Sequence, residues 1–331
     1  MNPLSNIKSK PKIKLPQGSN FQPIRAMELI NLIERAYQQY DLHENYPKDI
    51  WEPWRSKKLT GSTTFVPDLS LNATNIPDKV EYEILDIFLY TGYWFTIPET
   101  VPFGFIAKRR LEDGSTGIFV VFRGTRERPE WYNNFRFRFD QQPFLEDGNL
   151  GQVSQGFNRI YTRPDKDKPA IAEIVQRALQ EASKCPPDSQ VFVTGHSLGG
   201  ALSTLATLHI ATHTNFKKPI LYTFASPRVG DPKFADHFAN LECFRVANSE
   251  DIVTTVPPAT GQLTGEEMLM EMNNKQKNTV KSIGLIVSHF THNLSVQVYE
   301  HIGEPIYFTA QRGAISLNHN MFKTYREALP K

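Results

Sequence analysis

Residues 191–205, Val-Phe-Val-Thr-Gly-His-Ser-Leu-Gly-Gly-Ala-Leu-Ser-Thr-Leu, pass from apolar and β-branched residues through Gly195-His196-Ser197-Leu198-Gly199 into a small-residue run, with no spacer between them. This order fits a strand that turns at once into a helix, with the serine on a strained turn between the two. A side chain at 195 or 199 would crowd such a turn, and Gly199, Gly200 and Ala201 let the helix approach the sheet closely. Ser197 then projects its Oγ from the sheet edge. The helix start beneath it offers free backbone N–H groups, and the Leu198 N–H is placed to meet a negatively charged oxygen. The five-residue pattern is weak by itself, because Gly and Ser are common. Its force comes from the flanking strand and helix, against the plainer reading of Ser197 as a helix N-cap.

The surrounding pattern supplies the rest of an α/β sheet. Residues 103–108 and 117–123 flank Leu-Glu-Asp-Gly-Ser-Thr and read as a hairpin, the second strand apolar enough to be central. Between 167 and 184, Ile171, Ile174, Val175, Ala178, Leu179 and Ala182 follow the spacing of a one-faced helix. Strands at 220–225 and 243–247 enclose a helix near 232–240, and strands alternating with helices indicate a parallel sheet. Helical spacing over 25–40 marks the start of the folded body. Residues 1–22, with Lys8, Lys10, Lys12 and Lys14 among prolines and no acid, are expected to form a flexible basic tail; attraction to an anionic membrane is the competing use. No linker divides residues 23–331, which are expected to form one α/β domain.

A serine hydroxyl is a poor nucleophile unless an imidazole takes its proton and a carboxylate fixes that imidazole's tautomer. In this kind of fold the acid and then the base follow the serine along the chain. Asp251 comes just beyond the strand in CFRVANSE, at the sheet edge where catalytic groups collect. Glu250 would point elsewhere, and Asp231 suits an N-cap before Pro232. Among His289, His292, His301 and His319, His301 falls in the β-like run VQVYEHIGEPIYF, whereas His319 lies in a loop before a helical pattern and is the candidate base. His209 and His213, four apart on a helix, lack a third ligand of matching spacing and read as packing residues rather than a metal pair.

Composition bounds the remaining classes. With 331 residues, 40% hydrophobic, 22% charged and a net charge of +2, the chain is globular and carries no basic excess of the kind that binds nucleic acid. Two cysteines cannot form a disulfide framework, and no apolar run or signal-like start is present, so a cytoplasmic protein with at most peripheral membrane contact is expected. No cofactor is expected: there is no zinc-ligand cluster and no Gly-rich phosphate loop.

An ordered series of segments, VVFRGT (120–125), TGHSLGGAL (194–202), ASPRVGDPKF (225–234), FRVANSEDIVTTVPP (244–258), HIGEPIYF (301–308) and HNMFKTYREAL (319–329), resembles the class 3 (fungal-type) lipase family of the α/β-hydrolase superfamily. The resemblance implies an α/β-hydrolase fold, a central, mostly parallel sheet flanked by helices. It also implies the triad Ser197, Asp251 and His319, and an oxyanion hole from Leu198 and Thr125, with Gly124 allowing the close approach. A lid near 126–140 would bring Trp131 and Tyr132 to substrate. The implied reaction is hydrolysis of fatty-acyl esters through an acyl-enzyme, with an acyl-ester lipid substrate and contact with a membrane or lipid-droplet surface. A silent lipid- or protein-binding scaffold and an acyltransferase are the alternatives. Three features depart from the family: Ser154 where a histidine is usual, one extra residue between His319 and Tyr325, and an insertion near 259–295.

Overall fold

The computed structural model describes residues 10–45, 82–92, 99–125, 140, 144–147, 149–164, 168–181, 184–257, 259 and 298–330. Seven strands form one sheet in sequence order: β1 (Glu83–Gly92), β2 (Glu99–Arg110), β3 (Thr116–Phe122), β4 (Gln190–His196), β5 (Ile220–Phe224), β6 (Cys243–Asn248) and β7 (Glu304–Phe308). The first three are antiparallel, and β3 through β7 run parallel. Strand β1 did not stand out in the sequence, since EILDIFLYTG lacks a clean alternation.

The central parallel strands are apolar on both faces because both faces are covered. Ile118, Val120, Phe122, Val191 and Val193 belong to one core, beneath α2 (Gln155–Thr162), α3 (Ile171–Gln180) and α4 (Leu198–His213). Phe119, Val121, Phe192, Phe244 and Val246 face the other, with Ala26, Leu29, Ile33 and Ala36 of α1 (Pro23–Asn45) and Met321 and Tyr325 from the end of the chain. This helix–sheet–helix sandwich, with the serine at a strand–helix turn at its centre, is an α/β-hydrolase fold.

Register sets up the site. Phe122 pairs with Gly195 and His196 with Phe224, so the carboxyl ends of β3, β4 and β5 finish level. Residues 124–125, Ser197 and the loop after Asn248 therefore emerge at one edge.

The segment read as a flexible tail differs from expectation over residues 10–22. Lys14 N–H donates to the Tyr307 carbonyl of β7 at 2.7 Å, and Ile13 N–H to Ala328 O at 3.1 Å. Lysines 10, 12 and 14 stay exposed while Pro11 and Ile13 turn inward, and Phe21 is buried against Tyr222 and Phe244. The lysines masked this period-two pattern: their charge suggested a solvated tail, whereas the residues between them supply the apolar face. The helix expected near 232–240 is short, α5 (Pro232–Asp236), capped by Asp231 as anticipated, its carboxylate accepting from Phe234 N–H. The expected lid at 126–140 lies, Asp140 apart, outside the described residues, as do Trp131, Tyr132 and nearly all of the 259–295 insertion. The flanks of that insertion meet, with Tyr299 N–H donating to Ala259 O at 3.2 Å.

Candidate active site

Ser197 has φ 59° and ψ −125°, a left-handed conformation that is strained for a residue with a side chain. Neighbouring glycines make it affordable. A Cβ at 195 would lie 2.0 Å from Gly199 O, and one at 199 would lie 2.5 Å from Arg123 O, both backbone atoms that cannot swing aside. Ser197 N–H is tied to Phe224 O at 2.9 Å, and its carbonyl accepts from Gly200 at 2.8 Å. The side chain does not cap α4. Its Oγ instead faces His319 Nε2 at 2.8 Å.

His319 Nδ1 lies 2.8 Å from Asp251 Oδ2, whose side chain is fully buried. A carboxylate only accepts, so Nδ1 carries the proton and Nε2 offers its lone pair to the serine hydroxyl. Two more donors hold the carboxylate: Val253 N–H to Oδ1 at 3.0 Å and the Tyr325 hydroxyl to Oδ2 at 2.6 Å. The Tyr325 oxygen in turn accepts Asn248 N–H at 3.1 Å. The three residues chosen from sequence are thus brought into one hydrogen-bonded line.

Between His319 and Tyr325, where the spacing reads as one residue long, the chain forms a π-helical turn, Met321–Tyr325, closed by Tyr325 N–H to Asn320 O at 3.3 Å. Such one-residue bulges occur often at functional sites. Asn320 caps this turn through Oδ1, which accepts from Phe322 and Lys323 N–H. The bulge turns Tyr325 inward, onto Asp251. Sequence periodicity saw Tyr325 only as an apolar helical position.

Behind the serine runs a second chain of hydrogen bonds. Gly124 N–H donates to Tyr37 Oη at 3.0 Å, and Tyr37 Oη lies 2.9 Å from His196 Nδ1. His196 Nε2 faces the His319 carbonyl at 2.9 Å. That carbonyl accepts only, so Nε2 bears the proton and Nδ1 accepts from Tyr37. Burial, helped by the nearby His319, holds His196 well below the ordinary imidazole range, which keeps it neutral. His196 stood only as a filler position in the serine motif, and nothing in the sequence linked Tyr37 to it.

The Thr125 Oγ1 is buried and has no hydrogen-bond partner among the described residues. A hydroxyl kept dry without a partner is costly unless an acceptor arrives. Leu198, fully buried, opens α4, where the first N–H groups have no intrahelical acceptor. Leu198 follows Ser197 at the start of α4, and Gly124, the residue before Thr125, lies against Ser197, where a Cβ at 124 would be 3.0 Å from Ser197 Cβ.

The remaining candidates fall elsewhere. His301 sits in the loop before β7 rather than within a strand, because Gly303 at φ +91° ends the extended run. Burial, then Arg245 and Arg228, push its imidazole down to about 2. The His209 Nδ1 bonds to Tyr161 Oη at 2.9 Å, and among the described residues no cluster of His, Cys, Asp and Glu is arranged to hold a metal. Ser154 is fully buried and bonded to the Tyr299 hydroxyl.

Residues 119–261 match the family model described as "Lipase (class 3)". Over that segment the chain is similar to the class 3 lipase family. The chain is 33% identical over 187 residues to rice (Oryza sativa subsp. japonica) "Phospholipase A1-II 3", covering 48% of this chain and 43% of the relative. It is 30% identical over 189 residues to "Lipase" of Rhizomucor miehei, covering 55% and 49% respectively. The chain thus spans about half the length of the curated relatives it matches. A crystal structure of lipase from Rhizopus microsporus var. chinensis aligns with 22% identity and a TM-score of 0.47, covering 77% of this chain and 80% of that one.

Proposed function

We propose that the chain is a carboxylic ester hydrolase acting on fatty-acyl lipids through an acyl-enzyme. Ser197 is the nucleophile, His319 the general base and then acid, Asp251 the group that orients and stabilises the imidazolium, and Thr125 and Leu198 the oxyanion donors. The observation that carries this reading is the unbroken line Ser197 Oγ–His319–Asp251, with 2.8 Å at each step. That line ends on a serine whose backbone strain has no capping role to explain it. The unpartnered Thr125 hydroxyl fits the same reading, since an oxyanion formed beside Ser197 would satisfy it.

The reaction runs in two halves. His319 Nε2 accepts the Ser197 proton as Oγ attacks the ester carbonyl. The tetrahedral oxygen takes hydrogen bonds from Leu198 and Thr125, and His319 returns the proton to the leaving alcohol. Water then attacks the acyl-enzyme with His319 again as base, freeing the fatty acid and Ser197. The relatives' printed names, a phospholipase A1 and a lipase, support an acyl-ester lipid as substrate. No helix among the described residues is long and apolar enough to cross a membrane. We place the chain in a reducing compartment such as the cytoplasm, in keeping with its two free, buried cysteines, and at lipid surfaces only peripherally. Residues 126–140, with Trp131 and Tyr132, serve as the lid in this reading, within a single domain that includes the 259–295 insertion.

The test is a fluorophosphonate label followed by peptide mapping, together with a panel of phospholipid, galactolipid and triacylglycerol substrates. The reading expects stoichiometric label on Ser197 and fatty acid released from at least one lipid class. An unlabelled serine with no ester turnover would contradict it.

A further inference from the structure

Arg123 is buried, at 2% exposure, immediately before the oxyanion loop. Its Nε donates to Pro102 O at 2.6 Å and its Nη1 to Gly124 O at 2.7 Å. The guanidinium is flanked by aromatic rings, with Cζ 4.0 Å from the Tyr40 centroid and 4.5 Å from that of Phe103. An arginine fixed this firmly does more than fill space, because of which carbonyl it grips.

The Gly124 carbonyl and the Thr125 N–H belong to the same peptide plane, and in a trans peptide they point in opposite directions. Holding the oxygen therefore aims the N–H. A positive charge on the oxygen side also polarises the amide, which strengthens its N–H as a donor. The glycine makes such a clamp necessary: it is the freest link in a chain, and it has to be glycine here, since a Cβ at 124 would lie 2.5 Å from Tyr37 Oη and 3.0 Å from Ser197 Cβ. Tyr37 holds the peptide on one side of this pivot, through Gly124 N–H, and Arg123 holds the other.

We propose that Arg123 is a positioning residue that sets the direction and strength of the Thr125 N–H as an oxyanion donor. The inference rests on the hydrolase reading above. Lysine in place of arginine keeps the charge but loses the planar fork that bridges Pro102 and Gly124. Complete loss of an oxyanion donor costs about 10²–10³ in kcat, so a misaimed one should cost on the order of tenfold to a hundredfold.

The experiment compares wild type, Arg123→Lys and Tyr40→Leu on soluble p-nitrophenyl butyrate, with rates divided by the number of fluorophosphonate-titrated serines. For Arg123→Lys the expected result is a fall in kcat of roughly tenfold or more with KM within about twofold. The affinity for a boronic acid, which forms a tetrahedral anion on the serine, should weaken by the same factor, and the acid limb of the pH–rate profile should not move. Tyr40→Leu removes one flanking ring but keeps the arginine, and should show the same pattern at smaller size; it also carries the test if the lysine variant does not fold. An unchanged kcat per titrated serine in both variants overturns the inference, as does a loss confined to the fraction of titratable protein. A wild-type chain that neither labels nor turns over ester sinks the hydrolase reading instead, and the role of Arg123 with it.

Discussion

Replacing Tyr325 with phenylalanine removes one oxygen and leaves the ring, which packs edge-on against Phe308 at 5.1 Å. That oxygen donates to the Asp251 carboxylate at 2.6 Å and accepts Asn248 N–H at 3.1 Å. A hydrogen bond to a charged group contributes about 1.5–3 kcal/mol, and a buried amide left without an acceptor costs about 1–3 kcal/mol. Both groups are buried, Asn248 completely and Asp251 at 1% exposure, so water cannot readily replace the hydroxyl. Allowing for incomplete additivity, the loss should be about 3 kcal/mol, measured as a shift in urea midpoint at unchanged slope. Tyr161→Phe is the internal control, because among the described residues the Tyr161 hydroxyl meets one neutral partner, His209 Nδ1 at 2.9 Å, and stranding that single buried nitrogen should cost about 1–2 kcal/mol. Ester turnover per titrated serine should also fall about tenfold in Tyr325→Phe alone, since the carboxylate that stabilises the imidazolium loses one of its anchors. If Tyr325→Phe is no more destabilising than Tyr161→Phe, the π-turn's delivery of a hydroxyl to Asp251 does not matter energetically, and the reasoning fails.

Acid should destabilise the fold ahead of any carboxylate titration. His196, His209 and His301 are held below the ordinary value of 6.5, chiefly by burial, with His209 at about 4 and His301 at about 2. Between about pH 6.5 and 4 the unfolded chain binds protons that the folded chain refuses, so stability falls as pH drops through that window; His209 alone accounts for about 3 kcal/mol. Urea titrations at pH 7 and pH 5 check this, and His209→Gln should flatten the slope by up to about 1.4 kcal/mol per pH unit, while an unaltered slope would refute the assignment. Gly199→Ala drives a Cβ to 2.5 Å from Arg123 O and 2.6 Å from Phe122 O, and should cost about 3 kcal/mol or prevent soluble expression. Gly313→Ala, with open space around it at φ +82°, should cost only about 1 kcal/mol; equal effects in the two variants would show that crowding does not govern the serine turn.

The strand–turn–helix around Ser197 was legible because both glycines are demanded locally, by backbone atoms a few residues away. Asp251 and His319 were legible because loop position and chain order leave few alternatives. What the sequence concealed was long-range. Tyr37 reaches Gly124 and His196 from a helix far earlier in the chain, and nothing about a tyrosine on an apolar helical face announces that. Tyr325 reads as an ordinary helical contact because periodicity assumes 3.6 residues per turn, and a π-turn breaks that assumption. The N-terminal lysines misled for a related reason, since composition was read where alternation mattered.

In the proposed reaction Ser197 and His319 act as one unit. This coupling is tested most directly by comparing Ser197→Ala, His319→Ala and the double variant on one soluble ester. Each single change should lower kcat by something like a millionfold, and the double variant should be no slower than either. Single losses that multiply in the double variant, or a single variant retaining wild-type turnover, would contradict it.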